Sequence, residues 1–153
     1  MRTQLLFPPL ATLPVVWLAV IGQVRLVFHV QDGWCIEVGG HATVLSKADD
    51  TMPLLPLLEV DRVQFYEHLH NVGKNSIEFA GIVQSFPGVL LLKFALESSV
   101  SDYWPMKAMG WLEVSGRIAP DIRESLRVML SKSWATQRLR HRVEAIIKRK
   151  AVG

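Results

Sequence analysis

Between Arg2 and Arg25 the chain carries no charge for 22 residues, TQLLFPPLATLPVVWLAVIGQV. A helix needs roughly 20 apolar residues to cross the hydrocarbon core of a bilayer. Arg2 and Arg25 close the run where interfacial cations belong. The run predicts a membrane-anchoring segment over residues 1–30, with Trp17 and Arg25 in contact with lipid. Pro8, Pro9 and Pro14 interrupt it; membrane helices tolerate proline because neighbouring groups re-satisfy the freed carbonyls. The same prolines, and the lack of a small-x-small site near Ala19, argue against a cleaved signal peptide. The soluble alternative is a buried strand and helix.

The rest of the 153 residues has room for one domain, and half of the chain is hydrophobic, enough for a packed core. A single cysteine, Cys35, excludes an internal disulfide. No histidine or cation lies beside it, so it reads as a small apolar strand residue. Charge is unevenly placed. Residues 1–120 carry eight Lys and Arg against eleven Asp and Glu, net −3, and residues 121–153 carry nine against three, net +6. A basic end on a mildly acidic body points to contact with phosphates, of lipid or of nucleic acid.

The expected fold is α+β: an N-terminal membrane segment, a β-rich domain with a closing helix over 31–130, and a basic helical tail over 131–153. Gly39-Gly40 between Trp34–Val38 and His41–Leu45 is a two-residue hairpin signal. Lys47–Pro56 reads as a connector, with Leu54, Leu55, Leu57 and Leu58 against the core or the bilayer. Arg62–His70, Ile77–Gln84, Val89–Leu96 and Met109–Val114 read as further strands of an antiparallel meander. A helix starts at Asp121, with Glu124 three residues on. Ile122, Leu126, Met129 and Leu130 line its apolar face. Leu139, Val143, Ile146 and Ile147 form a second, rotated stripe, so the helix breaks between Ser131 and Thr136.

No catalytic or phosphate-loop motif is present, and no catalytic residue, cofactor or metal is expected. His68 and His70 would share one face of a strand, but Glu67 would face the other way, too few ligands for a metal. The tail cations Arg138, Arg140, Arg142, Lys148, Arg149 and Lys150, with their apolar stripe, predict an amphipathic helix on an anionic membrane surface. A soluble nucleic-acid-binding module using the same helices is the alternative function.

Pro14-Val15-Val16-Trp17-Leu18 in the apolar segment, SFPGVLLLKFAL at 85–96 and APDIRESLRVML at 119–130 resemble the YgfX-like (toxin CptA) family. These are small bacterial inner-membrane proteins. In 119–130 the similar positions are Asp121, Arg123, Leu126, Arg127, Val128 and Leu130; Met129 stands where the family has an aromatic residue, and residues 31–60 have no counterpart. The family has two membrane spans where this chain offers one. The resemblance implies a strand over 85–96, a cytoplasmic body, and a regulatory, non-enzymatic role through protein partners: an SdhE-type antitoxin or the cytoskeleton of division and cell shape.

Overall fold

The computed structural model describes residues 2–12, 15–74, 77–149 and 151–152; Leu13, Pro14 and Lys150 lie outside the described residues. The uncharged N-terminal run forms sheet, not the expected spanning helix. Thr3–Thr12 is strand β1 and Val15–Ile21 is β2, followed by β3 (Val24–His29), β4 (Gly33–Val38) and β5 (His41–Val44). The five pair consecutively, each antiparallel to the next. The physical reason lies in the composition of the run. Its prolines remove helical donors, its Val and Ile residues favour a pleated surface, and Gly22, at φ +62°, turns β2 into β3. Val16, Leu18, Ala19 and Ile21 are at most 1% exposed. Such burial stabilises a fold by about 1.5–3 kcal/mol for each large aliphatic side chain.

Leu18 is a bulge. Trp17 pairs with Val27 and Ala19 with Leu26, so Leu18 faces no residue of β3. Its carbonyl is met instead from a helix, α1 (Arg62–Lys74), by His68 Nε2 at 3.1 Å. The expected strand over Arg62–His70 is therefore corrected. Phe65, His68, Leu69 and Val72 are buried at i, i+3, i+4 and i+7, a helical stripe. Asp61 caps the helix, its Oδ1 accepting the amides of Val63 at 2.9 Å and Gln64 at 3.3 Å.

The expected connector is a run of 3₁₀ turns, Ala48–Glu59. Pro53 and Pro56 cannot serve an α-helical ladder, and three residues per turn align Thr51, Leu54 and Leu57, all fully buried. Asp50 opens this segment, its Oδ2 accepting the amides of Ser46 at 3.1 Å and Lys47 at 3.0 Å. Those backbone hydrogen bonds hold its carboxyl below the usual range. Ile77–Gln84 is likewise not a strand but a 3₁₀ turn (Ile77–Phe79) and a short helix, α2 (Ile82–Ser85). Behind them Phe28, Trp34, Phe65, Phe79 and Phe86 stack edge to face, with Trp34 and Phe86 centroids 5.0 Å apart. Trp34 Nε1 donates to Ser85 Oγ at 3.1 Å.

The chain divides between Pro87 and Gly88 into two compact units. The expected anchor therefore belongs to the sheet of the first unit, and the expected tail to the second. The second unit holds α3 (Gly88–Glu97), α4 (Tyr103–Glu113), α5 (Pro120–Met129) and α6 (Gln137–Arg149), with Arg117–Ile118 (β6) parallel to Ala151–Val152 (β7). The expected strands over Val89–Leu96, or 85–96 by the family resemblance, and over Met109–Val114 are thus helical. Leu, Ala and Lys make up most of Val89–Leu96 and favour helix; Met109–Val114 is instead the second half of a longer helix whose buried residues recur at helical spacing. Leu91, Leu92, Ala95 and Leu96 of α3 are buried, and so are Ala108, Met109, Trp111 and Leu112 of α4. The helix at 121–130, the break after it and the second helix follow the sequence reading.

The hairpin reading also agrees with the structure. Val38 pairs with His41, and Gly39 and Gly40 have φ of +56° and +83°. A β-branched side chain strains at such angles. Replacing both glycines by valine should lower stability by more than about 1 kcal/mol, read as a reduced denaturant midpoint; an unchanged midpoint would contradict the turn geometry.

Candidate functional site

The second unit carries 12 Lys and Arg against 6 Asp and Glu, net +6. Helix α6 concentrates this charge. Leu139, Val143 and Ile146 are buried, and α6 packs on α4. The opposite side is in water: Arg138, His141, Lys148 and Arg149 are exposed. At 3.6 residues per turn these four fall within an arc of about 100°. Glu144, also exposed, stands beside the arc rather than in it. His141 was not singled out in the sequence; its spacing of seven from Lys148 is the signal that could have found it.

Two of the arginines expected at a lipid surface are engaged inside the unit. Arg140 points back over the α5–α6 turn. Its Nε donates to the Ala135 carbonyl at 3.1 Å, one Nη to the Lys132 carbonyl at 2.8 Å and the other to the Leu130 carbonyl. A turn after a helix leaves carbonyls without ladder partners, and one guanidinium reaches three turn carbonyls here, that of Lys132 also accepting the Ala135 amide at 3.2 Å. Arg142 forms a two-point pair with Glu113 of α4, Nε to Oε2 at 2.9 Å and Nη2 to Oε1. Both partners are about one-third exposed. Lys148 and Arg149 do face solvent, though Arg149 Nε also donates to the Ala145 carbonyl at 3.3 Å. Lys150 lies outside the described residues.

The expected lipid contacts of the N-terminal segment stand together on the sheet. The Arg25 guanidinium lies over the half-buried Trp17 ring, 4.7 Å from its centroid. It also approaches Glu37 at 3.9 Å. Arg25 thus lines an open groove of about 440 Å³ between the Gly22-Gln23 and Gly39-Gly40 turns.

Other chemistry-bearing residues are separated. His68 and His70 are on a helix, not a strand, with His68 buried and His70 exposed. Burial pushes the His68 imidazole below its ordinary value, against the opposing pull of the Leu18 carbonyl. Cys35 is buried in β4, and burial first, then Asp32 and Glu37, push its thiol up and away from the reactive thiolate. No group of three or more His, Cys, Asp or Glu suited to a metal occurs among the described residues. A groove of about 380 Å³ between α3 and α5 contains Ser125, whose hydroxyl donates to Glu97 Oε2 and lies 3.0 Å from the Asp121 carbonyl. No imidazole lines this groove. The contact ties α5 to α3, two helices that pack on each other.

The chain matches no protein-family model, no curated protein and no solved structure. The candidate surface therefore rests on its own geometry.

That geometry separates cations that hold the unit together from cations that face outward. Arg140→Ala should cost about 1–3 kcal/mol, because three turn carbonyls lose one donor group. Arg138→Ala should change stability by less than about 0.5 kcal/mol. Thermal unfolding of the two variants side by side checks the distinction.

Proposed function

We propose that this chain works by binding rather than by catalysis, and that its second unit holds the phosphate backbone of a nucleic acid on the exposed basic face of α6. The observation that carries this reading is where the apolar stripe of α6 goes. A helix that lies in a membrane surface needs that stripe free to enter the acyl boundary. Here Leu139, Val143 and Ile146 are buried within the unit, and Arg138, His141, Lys148 and Arg149 are left outside. Phosphates require only such cations on a fixed frame, and they attract them without regard to base sequence.

The test is fluorescence anisotropy of labelled duplex and single-stranded oligonucleotides across a salt series. The full chain should bind, and log K should fall linearly with log salt. The triple variant Arg138→Gln, Lys148→Gln, Arg149→Gln should reduce the slope by about 2–3, at roughly 0.9 per lost phosphate contact, with its melting temperature unchanged. A triple variant that binds as tightly with the same slope would sink the assignment of this face.

A second reading keeps the membrane-bound regulatory protein that the YgfX-like resemblance implies, with an SdhE-type or cytoskeletal partner. Ile77–Glu97 favours it: these 21 residues contain an 18-residue window of mean hydropathy 1.6, long and apolar enough by length and composition to cross a membrane, though 44% of that window is buried. Pro87 divides this stretch, and its helical parts are short. Under this reading the full chain stays in the membrane pellet through alkaline carbonate. Release by carbonate without detergent would remove it.

A further inference from the structure

We infer that the open edge of the sheet, β5, pairs with β5 of a second copy of this chain in one fixed register. The argument starts from the phase of the hydrogen-bond ladder. Residues facing each other in an antiparallel pair alternate between exchanging both backbone bonds and exchanging none. The two-residue Gly39-Gly40 turn makes Val38 and His41 a bonded pair. Leu45 N–H donating to the Trp34 carbonyl at 2.9 Å sets the same phase from the other end. His41, Thr43 and Leu45 therefore direct their peptide groups toward β4. Ala42 and Val44 direct theirs away, to the open edge. Ser46 would be next, but its amide donates to Asp50 at 3.1 Å.

The edge thus offers the donors and acceptors of two residues. All four residues of β5 are exposed, and Val44 is 46% so. Edge strands are ordinarily guarded by lysine, proline or a bulge. His-Ala-Thr-Val contains none of these, and its pairing with β4 is regular.

A two-fold axis at Thr43 satisfies this edge with its own copy. Ala42 then pairs with Val44 of the second copy, and Val44 with its Ala42, giving four backbone hydrogen bonds. The two Thr43 residues meet as the non-bonded pair, where Cα atoms come closest, about 4.5 Å. A cross-strand threonine pair is favourable, and no charges of like sign are set opposite one another. Shifting the register by two residues in either direction brings Gly40 or Ser46 opposite an outward residue; the Ser46 amide is already taken. Self-complementarity of the edge therefore selects a second copy as its occupant. A strand pair this short buries well under the ~1,000 Å² of a standing interface, so the dimer is weak and depends on concentration.

Sedimentation velocity on the full chain tests this. The wild-type weight-average mass should rise toward twice the monomer between about 10 μM and 1 mM, the range suited to a small interface. Ala42→Pro removes an outward donor while leaving the β4 ladder intact, and it should stay monomeric. Thr43→Lys and Thr43→Glu should each stay monomeric because like charges face each other. Their equimolar mixture should recover the mass increase, which holds even if the proline variant does not fold. Thr43→Cys should form a disulfide-linked dimer under mild oxidation at least about tenfold faster than Ala42→Cys, because only residue 43 meets itself at bridging distance. A wild type that remains monomeric throughout overturns the proposal and leaves the edge to a foreign extended peptide. Dimerisation indifferent to both Ala42→Pro and Thr43→Lys overturns it equally.

Discussion

A bulge that leaves a carbonyl outside the ladder is an obligation, and in the first unit His68 meets it. Leu18 has no partner in β3, and its oxygen lies within buried structure where water does not compensate. An unsatisfied buried group of this kind costs about 1–3 kcal/mol. The Nε2–H of His68 supplies the bond, so the imidazole must be neutral or charged with its proton on that nitrogen, and burial favours the neutral form. The bulge and α1 thus specify each other. The helix has to present residue 68 beneath residue 18, and that turns the face carrying Phe65 and Leu69 into the buried interior in the same step.

The sequence made the tight hairpin legible because a glycine pair between two apolar runs has few other uses. The break between α5 and α6 was legible too, because two stripes of one helix cannot be rotated from each other without a bend. The four helices α1 to α4 were not. In RVQFYEHLH the alternation of apolar residues overlaps the helical positions 65, 68, 69 and 72, and only the Asp61 cap would have separated the two periods. VLLLKFAL has no period to read, since a continuous apolar run suits a central strand or a packed helix equally. For the N-terminal run, length and lack of charge suggested a span, yet its prolines and β-branched residues described strands. Hydropathy reports burial and cannot distinguish lipid from protein as the burying medium.

The candidate site was half legible for a related reason. Charge counting treats every arginine of α6 alike, while the fold gives neighbours on one helix different tasks. Arg140 closes a turn, Arg142 binds Glu113, and Arg138 reaches solvent. Nothing local to residues 137–149 announces this division. It depends on carbonyls at 130–135 and on a carboxylate at 113, which only the folded unit brings near. The outward surface is therefore smaller and more sharply defined than net charge suggests, and its frame is held by cations of the same kind.

Asp50 draws one more consequence from a local feature. By collecting the amides of Ser46 and Lys47 it begins the 3₁₀ segment, and in doing so it ends β5. A strand that continued for several more residues would present a long template for backbone pairing, the kind on which fibrils grow. Here a carboxylate takes the next available donor and bends the chain away, so the exposed template stops after two outward residues. At the other side of the sheet, β1 has the 3₁₀ segment and α1 packed against it. One acidic side chain thereby limits how far strand-to-strand growth could run.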